Sequence, residues 1–159
     1  MNPSSFVASR ADRIVESAVA AIAKRHLFHY ERLGREGSSR RVRDLFDRVL
    51  DATRTRNVGN VLAYAERIAN ERYDSGFDFV EVCSAFNLLE ESIWQTILDE
   101  YPPAEQGAAL GLFATIFGAA KDKLASTYLS RATETHVPSL DLGALFRGTQ
   151  NTGGGALNP

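Results

Sequence analysis

The stretch that decides the fold is DFVEVCSAFNLLEESIWQTILDEYPP, residues 78–103. Asp78 is a residue type that caps helices. Glu81 follows three positions on, where a carboxylate can reach back to the cap's own amide. Phe79, Val82, Phe86, Leu89, Ile93 and Ile97 then recur at steps of three and four, which lines them along one helical face. Tyr101-Pro102-Pro103 ends the segment, because proline has no amide hydrogen to carry the ladder on. A helix with one apolar face needs other helices or a sheet to cover it.

The flanking sequence supplies helices. Upstream, Val58, Val61, Leu62, Ala65, Ile68 and Ala69 predict a helix from about Asn57 to the stop at Asp74-Ser75-Gly76. Before it, Val42, Leu45, Phe46, Val49 and Leu50 predict one of about 15 residues capped by Ser39. The first helix is expected over about Ser4 to Leu33, where Val15, Val19, Ile22, His26, His29 and Leu33 follow at steps of 4, 3, 4, 3 and 4. Gly34, Gly37, Ser38 and Ser39 read as the loop that closes it. Downstream, about Ala104 to Arg131 forms a fifth helix. No segment alternates with period two. Pro3 and Pro102 bracket a proline-free stretch, which also favours long helices. The expected fold is all-α: a five-helix bundle over residues 1–134, its neighbouring helices packed antiparallel or at globin-like crossing angles, with a flexible, glycine-rich C-terminal tail over 135–159.

Composition excludes several classes. The chain has 159 residues, 44% of them apolar, with a formal net charge of −2. That is enough for one packed domain and too apolar for disorder. The near-neutral balance gives no general attraction to nucleic acid or an anionic membrane. The longest nearly apolar run, Ala108 to Ala120, is 13 residues, short of the roughly 20 that a membrane span needs. No export signal is read at the N-terminus, and the single cysteine, Cys83, fits a reducing compartment. A cytoplasmic protein with no membrane insertion and no nucleic-acid partner is expected.

Candidate chemistry is sparse. His26 and His29, three residues apart on an apolar stripe, are candidate metal or haem ligands, against the plainer reading of two hydrogen-bonded imidazoles. Cys83 lies near a helix N-terminus but on an apolar stripe beside Glu81, which favours a structural thiol over a nucleophile. Trp94, Phe86 and Phe117 are at spacings that serve either a cavity wall or a core. Arginines are dense from Arg32 to Arg56, yet Glu31, Glu36, Asp44, Asp47 and Asp51 interleave with them, as on a solvated helix laced with ion pairs. No phosphate-cradling loop, nucleophile elbow or His-Glu-x-x-His motif occurs. No catalytic residue, no metal site and no cofactor is expected, so the chain reads as a non-enzyme.

The fifth helix carries a contact signal. Gly107, Gly111, Ala114 and Gly118 form a stripe of small residues beside a bulky seam that includes Phe113 and Phe117. Each helical glycine costs about 1 kcal/mol relative to alanine, and close approach of another helix is the gain that offsets it. That helix belongs either to the same chain or to a second subunit; in the second case these residues, with Val15, Val19 and Ile22, are the expected contacts of a homodimer. In the tail, Leu140, Leu142, Gly143, Leu145, Phe146 and Arg147 make an apolar island, expected to dock on a protein partner or on the bundle.

Residues 70–82, NERYDSGFDFVEV, followed by FNLLE at 86–90 and Ile93-Trp94, resemble the N-terminal sensory domain of the RsbR and RsbRD class of bacterial stress-signalling co-antagonists. Arg72, Gly76, Glu81, Val82, Leu89, Glu90 and Trp94 carry the resemblance, which spans residues 10–131. It implies a haem-free, globin-like helical domain that dimerises and relays a signal by protein–protein interaction. In that class an output domain usually follows, commonly a STAS phosphoacceptor. Here a glycine-rich tail stands in that place, so output through a partner or the tail is expected. The tail segment also looks like the short docking peptides that load cargo into encapsulin shells, which implies an adaptor docked to a larger assembly through 140–147.

Overall fold

The computed structural model describes residues 1–136, and every regular element in them is helical. Six helices occur among the described residues: α1 Pro3–Ala8, α2 Ala11–Lys24, α3 Phe28–Thr55, α4 Gly59–Asp74, α5 Phe79–Glu100 and α6 Pro103–His136. None is long and apolar enough to cross a membrane.

The all-α expectation holds, but the helix count and the first boundaries do not. The segment expected as one helix from Ser4 to Leu33 is broken twice. Asn2 caps a short α1, accepting from the Ser4 amide at 2.9 Å with Pro3 in the first turn, and Ser9 ends it. The second break falls at His26, whose φ of 51° is left-handed, followed by Leu27 in extended conformation. Gly34 does adopt a left-handed φ of 70°, as a closing glycine would. It does so inside α3, however, as a kink between two helical stretches, and the expected loop with a Ser39 cap is absent. Residues on both sides find burial: Tyr30 before the kink, Ser38, Val42, Leu45 and Phe46 after it. Arg56 at φ 56° ends α3.

The later elements follow the sequence closely. α5 begins at Asp78 with the expected capping box, the Glu81 carboxylate accepting from the Asp78 amide at 3.1 Å. α6 runs on to His136, five residues past the expected Arg131. The tail segment at 140–147 lies outside the described residues.

Cross-helix pairs give the directions. Arg10 and Arg13 at the start of α2 both meet Glu100 at the end of α5, so these two helices are antiparallel. Lys121 meets Glu90, while Gln106 reaches the Leu98 carbonyl at 3.1 Å, so α6 is antiparallel to α5. Lys123 meets Glu66 and Arg131 meets Asp74, so α6 runs parallel to α4. The core between them holds Ile14, Ile22, Phe46, Val61, Leu89, Ile93, Ile97, Phe113, Phe117 and Leu124, each 2% exposed or less. Burying a side chain of this size contributes roughly 1.5–3 kcal/mol.

Candidate functional site

A dense polar arrangement among the described residues is built on the turn between α4 and α5. The Phe77 amide donates to the Arg72 carbonyl at 2.9 Å and the Gly76 amide to the Tyr73 carbonyl at 3.1 Å. This nested pair satisfies the last carbonyls of α4 and requires a left-handed residue, supplied by Gly76 at φ 79°. The turn delivers Phe77, 7% exposed, to the middle of a group of polar side chains.

Four of them surround the ring. His29 stacks on it at 4.6 Å and Tyr30 meets it edge-on at 5.5 Å. The guanidinium carbons of Arg41 and Arg72 each lie 5.4 Å from its centre. Tyr128 of α6 donates to the Phe77 carbonyl at 3.2 Å. Glu81 holds the α3 side of the group: one oxygen accepts from the His29 amide at 3.0 Å, the other lies 2.7 Å from His29 Nδ1. Burial pushes the Glu81 carboxyl up, but the His29 amide and ring, the Asp78 amide and the His29 charge together pull it below its ordinary value. Burial holds the Tyr30 phenol above its ordinary value against the opposing charges of Arg72 and Arg41. Tyr64 and Tyr128 are raised for the same first reason, so all three hydroxyls keep their protons at neutral pH.

Arg72 is 7% exposed, and its charge acts on the neighbouring Tyr30 phenol. Its Nε has no acceptor, and neither does the buried Nη1 of Arg41. Burial first, and then the charge of Arg72, lower the Arg41 pKa from its ordinary value.

A larger cavity of about 280 Å³ lies between α2 and the Gly34 kink, with Val19, Ile22 and Tyr30 in its wall and His26, Glu31 and Arg35 also lining it. The two candidate ligand histidines are not brought together there. His26, whose side chain is 80% exposed, bonds Glu31 at 2.7 Å, and His29 turns to Glu81. Among the described residues no group of three or more His, Cys, Asp or Glu side chains could hold a metal ion.

The expected dimer contacts divide into two sets. Val15, Val19, Ile22, Phe113 and Phe117 are at most 4% exposed and pack in the chain's own core, which corrects their reading as contacts of a second subunit. Gly107 and Gly111 are exposed and Gly118 half-buried, and a Cβ at any of the three would meet nothing within 4 Å. Ala114 is half-buried on the same stripe. The stripe borders α5: Lys121, one turn beyond Gly118, reaches Asn87 at 3.1 Å. On α5, Asn87, Trp94 and Leu98 share a flank, and Trp94 and Leu98 are 40% and 49% exposed. Trp94 is therefore neither core nor cavity wall, whereas Phe86 and Phe117 are core. Cys83 is half-buried, with the Asn87 amide 3.9 Å from its sulfur.

Of the arginines between 32 and 56, Arg54 pairs with Asp51 inside the run, whereas Arg43 pairs across to Asp12 of α2. Arg41 departs from that pattern by turning inward, which charge spacing gave no means of finding. Leu140, Leu142, Gly143, Leu145, Phe146 and Arg147 lie outside the described residues.

Apart from the exposed Trp94, the residues that carried the family resemblance hold structural posts. Arg72 is buried, Gly76 makes the turn and Glu81 closes the cap. Val82 and Leu89 are fully buried, and Glu90, 6% exposed, pairs with Lys121 at 2.6 Å. Residues 8–137 match the model of the family described as RsbT co-antagonist protein rsbRD N-terminal domain. No curated protein and no solved structure matches the chain. The chain belongs to the rsbRD N-terminal domain family.

Proposed function

We propose that this rsbRD N-terminal domain is a non-enzymatic bacterial stress-signalling module that acts by protein–protein contact, as a homodimer joined through the α5/α6 face. One observation carries the reading. Gly107, Gly111 and Gly118 line a flank of α6 that has no neighbour within 4 Å among the described residues, beside the exposed Trp94 and Leu98 of α5. Three glycines on one stripe cost about 3 kcal/mol of helix propensity, and no contact among the described residues offsets that. A second copy seated on the stripe supplies the missing contact. Trp94 is the kind of large aromatic that anchors interfaces.

Signalling in this reading is a shift between two packings of α5 and α6, biased by whatever binds one of them better. A cytoplasmic location belongs to the same reading. The alternative, haem or metal sensing through His26 and His29, has less support, because the two rings serve different carboxylates.

Sedimentation of the full chain tests it. Wild-type protein is expected to sediment as a dimer at micromolar concentration, and Gly111→Leu, with its helical spectrum intact, is expected to raise the dissociation constant at least ten-fold. A wild-type monomer, or a Gly111→Leu variant with unchanged association, overturns the interface.

A further inference from the structure

Arg41 and Arg72 line a cavity of about 20 Å³ together with Tyr30 and Tyr64, between α3, α4 and α5. We infer that this cavity is a binding site for a single small monovalent anion of halide type, held by the unpaired Nε of Arg72 and Nη1 of Arg41 with the tyrosine hydroxyls beside them.

Four observations meet here. Two guanidinium nitrogens, each shut off from solvent, have no acceptor. A buried donor left unmade loses the hydration it had in the unfolded chain, and a charged one loses more. Both arginines carry positive charge 5.4 Å from the centre of the same Phe77 ring, and the charge of Arg72 disfavours that of Arg41. The nearest counter-charge recorded for Arg72 is Glu71, 3.9 Å from Nη1, half exposed and shared with Arg67. Glu81 is held by His29 and Asp78. Asp44 acts on Tyr64.

Size and chemistry then choose the occupant. A volume of about 20 Å³ admits one water-sized body, since about 10–15 Å³ is the minimum for a water, and it excludes phosphate, nucleotides and carboxylic metabolites. A water molecule could accept from both nitrogens but would leave two positive charges facing each other. A halide ion accepts from both and offsets the charge. Tyr30 and Tyr64, 6% and 5% exposed, keep their protons and so present donors to the same ion. Val42, Leu45, Ile68 and Phe86 complete an apolar wall that strengthens these contacts by excluding water.

The test is thermal unfolding of the full chain in sodium chloride against sodium gluconate at equal total sodium. The melting temperature is expected to rise saturably with chloride or bromide, by roughly 3–6 °C at ten times the dissociation constant, and to stay flat in gluconate. Arg41→Gln and Arg72→Gln are each expected to abolish the chloride dependence. Equal melting temperatures for wild type in the two salts would show a water-filled or empty cavity and overturn the site. Chloride dependence that survives in both variants would place the ion elsewhere and overturn it equally. Should Arg72→Gln not fold, Arg41→Gln and the wild-type salt comparison still decide. A crystal grown in sodium bromide gives an independent reading: an anomalous peak between Arg41 and Arg72 is expected, and its absence at full bromide occupancy elsewhere counts against the proposal.

Discussion

Glu81 shows how one side chain can join three pieces of chain. It caps its own helix through the Asp78 amide and fixes the start of α3 through the backbone and ring of His29. Its folded pKa lies below the ordinary 4.5. A depressed carboxylate stabilises the fold fully above its unfolded pKa, and that contribution is lost as pH falls through the folded value. Glu81→Gln is therefore expected to cost about 1–2 kcal/mol at pH 7, with the gap to wild type closing below the ordinary carboxylate range. Urea unfolding at a series of pH values measures both. A gap that stays constant down to acid pH would show that packing, not charge, is lost. Arg56 offers the opposite case. It is exposed and left-handed at the end of α3, where glycine is the usual residue. Arg56→Gly is expected to stabilise the protein by about 0.5 kcal/mol, because relieved backbone strain outweighs the added unfolded-state entropy. Chemical denaturation resolves a change of that size in its midpoint.

At the scale of the element, the glycine stripe of α6 separates two effects. Gly107 sees open space, so Gly107→Ala meets no clash and gains helix propensity. The folded monomer is expected to be stabilised by up to about 1 kcal/mol. If a second copy packs against the stripe, the same methyl weakens association, so thermal stability at low protein concentration rises while dimer affinity falls. A rise in both would mean that the stripe carries no contact.

The helices themselves differ in how plainly the sequence announces them. α5 is legible from both ends, because a capping carboxylate and a proline pair are local chemistry. The boundary between α2 and α3 is not. It turns on His26 in a conformation for which the chain provides no glycine, and tertiary packing on either side is what holds it there. Gly34 misleads for the complementary reason: its left-handed φ is real, but burial of Tyr30 and Val42 on its two sides keeps both stretches in one helix with a kink. The arginine pair of the candidate site is half legible. Arg72 belongs to the motif that carried the family resemblance, whereas Arg41 lies in a run of alternating charge in which its position alone gives no sign of a buried Nη1.

For the molecule as a whole, the core is continuous from α1 to α6, and Phe113, fully buried, lies on the helix that contacts both α4 and α5. Phe113→Ala is expected to cost about 3–5 kcal/mol, and unfolding should remain a single transition because no element has a separate core. Far- and near-ultraviolet circular dichroism followed together would expose any second transition.

α6 finally has a mechanical meaning. Its 34 residues make a helical run of about 51 Å along its axis, anchored beside α5 near Gln106 and Lys121 and beside α4 at Lys123 and Arg131. A continuous hydrogen-bonded spiral resists twisting far more than it resists sliding over its neighbours. Torque applied where the glycines lie would thus emerge, little diminished, five residues beyond Arg131, and the helix would work as a driveshaft.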